Sequence, residues 1–300
     1  MKTVQVIFVS ASLSLAACGG ATSTTGSGTT TSGSSDTTTT ETTAVTGPAE
    51  PFELPAAGDL PAAIAGAQRS EENRARDRFR HPRETLTFFG IEPGMRVVEI
   101  SPGGGWYTEI LAPYLRESGT LVAAIPSAEG SRARYRQTFV DLQTAHPEVF
   151  GAAELATFDT PDTIELGADG SADMVLTFRN IHGMVNDEGV EPAFAAFFRV
   201  LRPGGVLGVV QHRAPEGSDP FMSARGGYVP EAYVIDVAQR AGFVLEERSE
   251  INANPNDDHD HPEGVWTLPP SYRLGDTDRA QYEAIGESDR MTLRFRKPAE

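Results

Sequence analysis

Hydrophobic and polar positions in this chain switch between two periods from about residue 60 onward. Val97, Val98 and Ile100 form a short apolar run that ends in Ser101-Pro102-Gly103-Gly104-Gly105. Beyond it, Ile110, Leu111, Tyr114 and Leu115 share one helical face, with Pro113 set to kink or shorten that helix. Residues 121–125 are continuously apolar, as expected for a strand buried on both faces. Residues 131–144 read as the next helix, 152–158 as a third strand ending at Asp159, and 174–176 as a fourth ending near Asn180 and His182. Phe194, Phe197, Phe198 and Leu201 repeat at i, i+3, i+4 and i+7, one stripe of a helix. The turn Arg202-Pro203-Gly204-Gly205 precedes a fifth strand at 206–210. A helix over 230–241 is closed by Gly242, and a sixth strand opens at Phe243. Met291, Leu293 and Phe295 alternate with Thr292, Arg294 and Arg296, so the last strand is expected to keep one wet side. Residues 61–90 read as helical, with Pro82 at a helix start and Gly90 at a stop; the many charges of residues 68–79 suit a solvated helix laced with ion pairs.

Strands alternating with helices predict an α/β fold: a doubly wound, mostly parallel, seven-stranded sheet with helices on both faces. No helix precedes the last strand to complete a crossover, so that strand is expected to be antiparallel. Ligands in such sheets bind at the carboxyl ends of the strands. Glu99, Asp159, Asn180, His182 and His212 all fall at predicted strand ends and are expected to share one cleft.

The stretch 97–108 reads as strand, glycine turn and first helical turn. Three consecutive glycines, Gly103, Gly104 and Gly105, let the backbone bend sharply and let a ligand approach the main chain. With Glu99 near the strand end, it resembles motif I of the class I S-adenosylmethionine-dependent methyltransferases: strand, acid, then G-x-G-x-G. Glu99 takes the acid position, Gly103 and Gly105 the second and third glycines, and Ser101 stands where the first glycine usually is. The order of elements from about residue 94 to 298, and the turn before the fifth strand, resemble the same family. The resemblance implies S-adenosylmethionine as cofactor, lying on Ser101, Gly103, Gly104 and Gly105, with Glu99 organising contacts to its methionine amine. A helical cap at 61–90 is also common in that family.

A nicotinamide-binding sheet begins the same way but carries an acid after strand two for the ribose hydroxyls. Here that place is Ile125-Pro126. The methyltransferase family commonly grips ribose there too, so this is a departure from both patterns, with Ser127 or Glu129 as substitutes. Asp159 matches the acid that contacts the adenine amine, or else caps a following helix. Asn180 sits where strand four meets cofactor and acceptor. His182, two residues on, either takes a proton from a hydroxyl or nitrogen acceptor or is a structural histidine bonded to a loop carbonyl. His212 and Arg213 would recognise an acidic acceptor, or are structural. Trp106 and Tyr107 pack against the sheet or close the cleft.

Charge narrows the partners. With 25 Lys+Arg against 42 Asp+Glu the net charge is −17, which argues against nucleic acid as partner. A small-molecule substrate is expected, and nothing sets an oligomeric state. Residues 1–18 read as a targeting segment: Lys2, a short apolar run, then Leu15-Ala16-Ala17-Cys18, which looks like a bacterial lipobox. Cys18, the only cysteine in the chain, would be lipidated there. Residues 19–60, Thr/Ser/Gly-rich and then Pro-rich, read as a flexible tether to a domain spanning 61–300. Membrane contact is thus expected only through an N-terminal lipid anchor, at the cell envelope and outside the cytoplasm. Asn256-Asp257-Asp258-His259-Asp260-His261 is dense in metal donors, but no fixed ligand spacing is matched, and no metal is assigned. Three functions remain open: a methyltransferase, a non-catalytic envelope lipoprotein holding a small nucleoside-like or anionic ligand, and a metal-dependent hydrolase built on the histidine–aspartate loop.

Overall fold

The computed structural model describes residues 52–299. The leader, Cys18 and the Thr/Ser/Gly stretch lie outside the described residues. Four short helices come first: α1 (Leu60–Ala65), α2 (Glu71–Ala75), α3 (Asp77–Arg80) and α4 (Pro82–Phe89). Then follow β1 (Arg96–Ile100), α5 (Thr108–Leu115), β2 (Thr120–Ile125), α6 (Ala133–Ala145), α7 (Pro147–Phe150), β3 (Glu154–Asp159) and β4 (Thr163–Glu165). The chain continues through β5 (Ala172–Phe178), α8 (Ile181–Asn186), α9 (Val190–Val200), β6 (Leu201–Ala214), α10 (Pro220–Arg225) and β7 (Val229–Pro230). It closes with α11 (Glu231–Arg240), β8 (Val244–Ser249), α12 (Arg279–Ile285) and β9 (Arg290–Arg296).

The strands lie in the order β4-β3-β2-β1-β5-β6-β9-β8, with β7 on the free end of β6. From β1 the chain works outward through β2 and β3, then crosses back to β5 and works outward the other way. The switch point therefore lies between β1 and β5, where such sheets open a crevice at their carboxyl ends. β9 runs antiparallel to both β6 and β8, as its missing crossover requires. All seven expected strands form. β4 and β7 are additional, too short to leave a periodic trace.

Both faces of the sheet are apolar because both are covered. Val97, Met174 and Leu176 pack with α4 and α5 residues such as Phe89 and Leu111, while Val98, Val175 and Leu207 pack with Phe194 and Phe197 of α9. This two-sided burial is the reason the central strands read as unbroken apolar runs.

Four expectations change. The Pro-rich end of the tether does not stay free: the Gly58 amide donates to the Tyr114 carbonyl at 2.9 Å, and Arg116 Nη1 donates to the Pro55 carbonyl at 2.6 Å. The turn at 202–205 is drawn into β6 as an irregularity, with Gly204 at φ 76° and its amide bonded to Lys297. β9 has no wet side at its start: Arg290 and Thr292 are buried, because α3, α4 and the loop after β8 cover them. Asn252 Nδ2 donates to Thr292 Oγ1 at 2.9 Å, and Arg290 Nη2 donates to the Phe79 carbonyl at 2.7 Å. The charged segment 68–79 is not simply solvated either. Arg69 is 1% exposed, grips Asp77 with both Nη atoms at 2.8 and 2.7 Å, and lies over the Trp106 ring. These charges turn inward because the cap must cover an indole at the mouth of the glycine turn.

Candidate active site

The site begins with the alternation of β1. Val98 and Ile100 point to the α9 side, which leaves Glu99 on the α5 side, only 2% exposed. There Thr108 Oγ1 donates to Glu99 Oε2 at 2.7 Å. Burial raises the Glu99 carboxyl from its ordinary 4.5 to about 7, against the opposing pull of the Thr108 bond and the Arg179 charge.

The turn after β1 explains its own composition. Ser101, Gly103 and Gly105 have φ of 47°, 59° and 79°, so all three positions of the G-x-G-x-G pattern are left-handed. Ser101 adopts unaided a conformation that usually falls to glycine. A Cβ built on Gly103 or Gly104 would meet no atom within 4 Å, whereas one on Gly105 would meet Phe150 at 3.3 Å. Gly105 is small for packing. Gly103 and Gly104 are small beside open space.

That space is a pair of cavities of about 430 and 480 Å³, both lined by Ser101, Pro102, Gly103, Asn180 and His182. Each lies within the size range of small-molecule sites. The larger reaches the ends of β2 and β3 at Ile125, Pro126 and Phe158. The smaller reaches the cap at Arg76 and Arg80 and the start of β9 at Glu287 and Ser288.

Asn180 Nδ2 donates to the Ile100 carbonyl at 2.6 Å, tying the end of β5 to the end of β1 across the switch point. His182 faces both cavities, its ring edge-on to Trp266 at 5.6 Å and 5.9 Å from the ring of His212. Gln211 Oε1 accepts from the Ile181 amide, which turns the Gln211 amide nitrogen toward His182 Nδ1 at 3.5 Å. Burial pushes His182 down to about 4, opposed by the Gln211 contact, so the imidazole is neutral at pH 7. His212 is also pushed down by burial, and its Nδ1 bonds Ser288 Oγ at 2.5 Å.

Asp159 is engaged by its own chain. Arg132 Nη2 pairs with Asp159 Oδ1 at 2.6 Å, and Ser127 Oγ lies 2.7 Å from Oδ2. No helix starts at Asp159; the chain turns into β4, which removes the helix-cap alternative. Arg132 also pairs with Asp187, bridging the ends of β3 and α8 beside the larger cavity. Arg213 faces away: it grips Glu250 and Asp289, so it is not available to an acceptor. Tyr107 stacks on Phe178 at 3.6 Å, and Trp106 lies between Arg69 and Arg80 while its Nε1 donates to the Asn73 carbonyl.

The histidine–aspartate loop is a structural knot. Asp257 accepts from Tyr228 Oη, the His259 and Asp289 amides, and His261 Nε2 at 2.8 Å. Asp257, Asp258 and His261 lie close enough to share an ion, yet Asp257 has both oxygens committed. Asp257→Ala strands the buried Tyr228 hydroxyl and Asp289 amide, and should cost about 3 kcal/mol, since each orphaned group costs roughly 1–3. Chelator should leave the wild-type melting temperature unchanged; a chelator-induced drop would instead identify a metal.

Sequence reasoning missed Arg76, Arg80, Arg179, Trp266, Glu287 and Ser288, all on the smaller cavity. Arg179 carried a signal, being adjacent to Asn180 at a strand end. Arg76 and Arg80, four apart on one helical face, carried a weaker one.

No protein-family model matches the chain. The sterol 24-C-methyltransferase of Yarrowia lipolytica is 28% identical over 204 residues, 63% of this chain and 48% of that enzyme. Motif turn, sheet order and that similarity converge. Together they support a class I S-adenosylmethionine-dependent methyltransferase. The chain spans about half the length of the sterol enzyme it matches, so the similarity carries no acceptor with it. Among solved structures, the [4+2]-cyclase SpnF superposes with a TM-score of 0.52 at 16% identity, over 83% of this chain and all of that one. A protein of Galdieria sulphuraria assigned as a sarcosine dimethylglycine methyltransferase superposes with a TM-score of 0.50 at 12% identity, over 83% and 94% of the two chains. At these identities the likeness is one of fold.

Proposed function

We propose that this chain binds S-adenosylmethionine and transfers its methyl group to a small-molecule acceptor. The observation that carries this reading is the pair Gly103 and Gly104, whose absent side chains face open space between a buried carboxyl and two cavities. The cradle fits an amino-acid-bearing nucleoside: main-chain groups at Ser101 to Gly104, Glu99 for an ammonium, and the apolar ends of β2 and β3 for a base. S-adenosylmethionine, when bound, supplies a methyl group on a sulfonium sulfur that departs as a neutral thioether. The chain has only to align an acceptor with that methyl and manage one proton. Asn180 holds the ends of β1 and β5 together, so it acts as a positioning residue. His182, neutral and with Nδ1 turned to the Gln211 amide, presents Nε2 to the cavity as a hydrogen-bond donor to the acceptor. Its depressed basicity makes it a poor proton acceptor while the cavity stays dry.

That last property favours a second reading, a non-catalytic ligand-binding protein on the same fold. The lipobox-like end at Cys18 supports placement at the cell envelope through a lipid anchor for either reading; among the described residues no helix is long and apolar enough to cross a membrane.

Calorimetry on the full chain should show binding of S-adenosylmethionine and S-adenosylhomocysteine. Labelled methyl should then appear in a small-molecule fraction of envelope extract. Binding without transfer supports the second reading, and absence of binding by the wild-type chain rejects the first.

A further inference from the structure

The smaller cavity carries far more positive charge than its surroundings account for. Glu287 receives three guanidiniums: Arg76 Nε at 2.7 Å, Arg80 Nε at 3.0 Å and Arg290 Nη1 at 3.0 Å. One carboxylate thus answers three cations, all largely buried. Arg80 is 3% exposed, and its Nη1 has no partner. A fourth guanidinium, Arg179, lines the same cavity with no carboxylate within 4 Å among the described residues. Its backbone stands at φ 64°, a left-handed conformation that few arginines adopt. Burial, together with the charges of Arg290 and Arg76, lowers Arg179 to about 10, opposed by Glu287, and it remains a cation at neutral pH. His182 and His212 are neutral and offset nothing. The other negative candidate, Glu99, titrates near 7.

Such a concentration of guanidiniums in a chain of net charge −17 is a focus for an anion. The cofactor cannot be the anion that balances it. S-adenosylmethionine brings one carboxylate together with an ammonium and a sulfonium, so it adds positive charge on binding. Resting on the methyl-transfer reading of this cavity, we propose that the acceptor carries a carboxylate or phosphate group seated against Arg179, in the field of Arg76, Arg80 and Arg290. Arg179 is the residue free to make the contact, because its guanidinium is not already spent on Glu287. Its neighbour Asn180 fixes the end of β5 from which it projects. The acceptor's reacting atom would then lie toward His182, and its anionic end toward the cap.

The test uses the full chain, loaded with saturating S-adenosylhomocysteine so that the cofactor's own carboxylate is already placed. Inorganic phosphate and acetate are titrated in separately by calorimetry. At least one should bind with a stoichiometry of one, and the tighter of the two identifies the anion class. Arg179→Gln should weaken that binding by about tenfold or more, the scale of a lost charge-assisted contact. Arg179→Lys should restore most of it. S-adenosylhomocysteine affinity should change by less than about threefold in both variants, which also shows that they fold. Failure of the loaded wild type to bind either anion overturns the proposal. So does a Gln variant that loses S-adenosylhomocysteine while keeping the anion, which would give Arg179 to the cofactor carboxylate. Should S-adenosylhomocysteine itself not bind, while anion binding still depends on Arg179, the methyl-transfer reading falls and the anion site stands.

Discussion

Glu99→Gln is expected to stabilise the folded chain above pH 7 and, in the same molecule, to weaken S-adenosylmethionine binding by about tenfold or more. The carboxyl is buried against Thr108 with its folded pKa raised from 4.5 to about 7. A raised acid contributes fully to stability below its unfolded pKa and loses that contribution as pH climbs through the folded one. The wild type should therefore lose stability between pH 4.5 and 7, levelling off above 7, by roughly 3 kcal/mol if the whole shift is realised. Glutamine keeps the shape and the acceptor for Thr108 Oγ1 but carries no proton to lose. Thermal unfolding should show the two proteins alike near pH 4 and the variant ahead at pH 8. Binding runs the other way, because an ammonium needs the carboxylate. Wild-type affinity should fall by about tenfold per pH unit below 7, and the variant's should be flat. A variant less stable than wild type at pH 8, or a wild-type affinity indifferent to pH between 5.5 and 7.5, would reject the role given to Glu99.

The parts of this site that the sequence makes readable are those whose chemistry is local. β1, its glycine turn and α5 are contiguous, so burial on both faces, the left-handed turn and the acid at the strand end all leave marks within twelve residues. The antiparallel β9 is readable for a related reason: the absence of a crossover helix is itself visible. The arginine cluster is not. Whether Arg76 and Arg80 face water or the cavity depends on Glu287, more than 200 residues away, and on Trp106. The same holds for the loop at 256–261. Its donors look like a metal site until Tyr228 and Asp289 arrive from other elements and occupy Asp257. Asp159 is a third case, since its partner Arg132 comes from the start of α6 and only the folded chain brings them together. Periodicity locates a strand end reliably; it does not say which side chains from distant segments will meet there.

Gly103→Val should sharply weaken cofactor binding for a reason separable from stability. The residue stands at φ 59°, where a β-branched side chain is strained by roughly 1–2 kcal/mol. Nothing lies within 4 Å of a Cβ built there, so no overpacking adds to that strain, and the fold should survive with a modestly lower melting temperature. The isopropyl group would instead fill the space in which the proposed ligand meets the main chain, and affinity should drop by about a hundredfold or more, since roughly 3 kcal/mol of contact is lost. Two neighbours make the distinction sharp. Gly104→Ala has no positive φ and no atom within 4 Å of the new Cβ, so its stability should match wild type while its affinity still falls. Gly105→Ala, at φ 79° and 3.3 Å from Phe150, should lose stability first. If Gly104→Ala binds S-adenosylhomocysteine as tightly as wild type, main-chain approach at this turn is not what the small residues serve, and the cradle belongs to some other ligand.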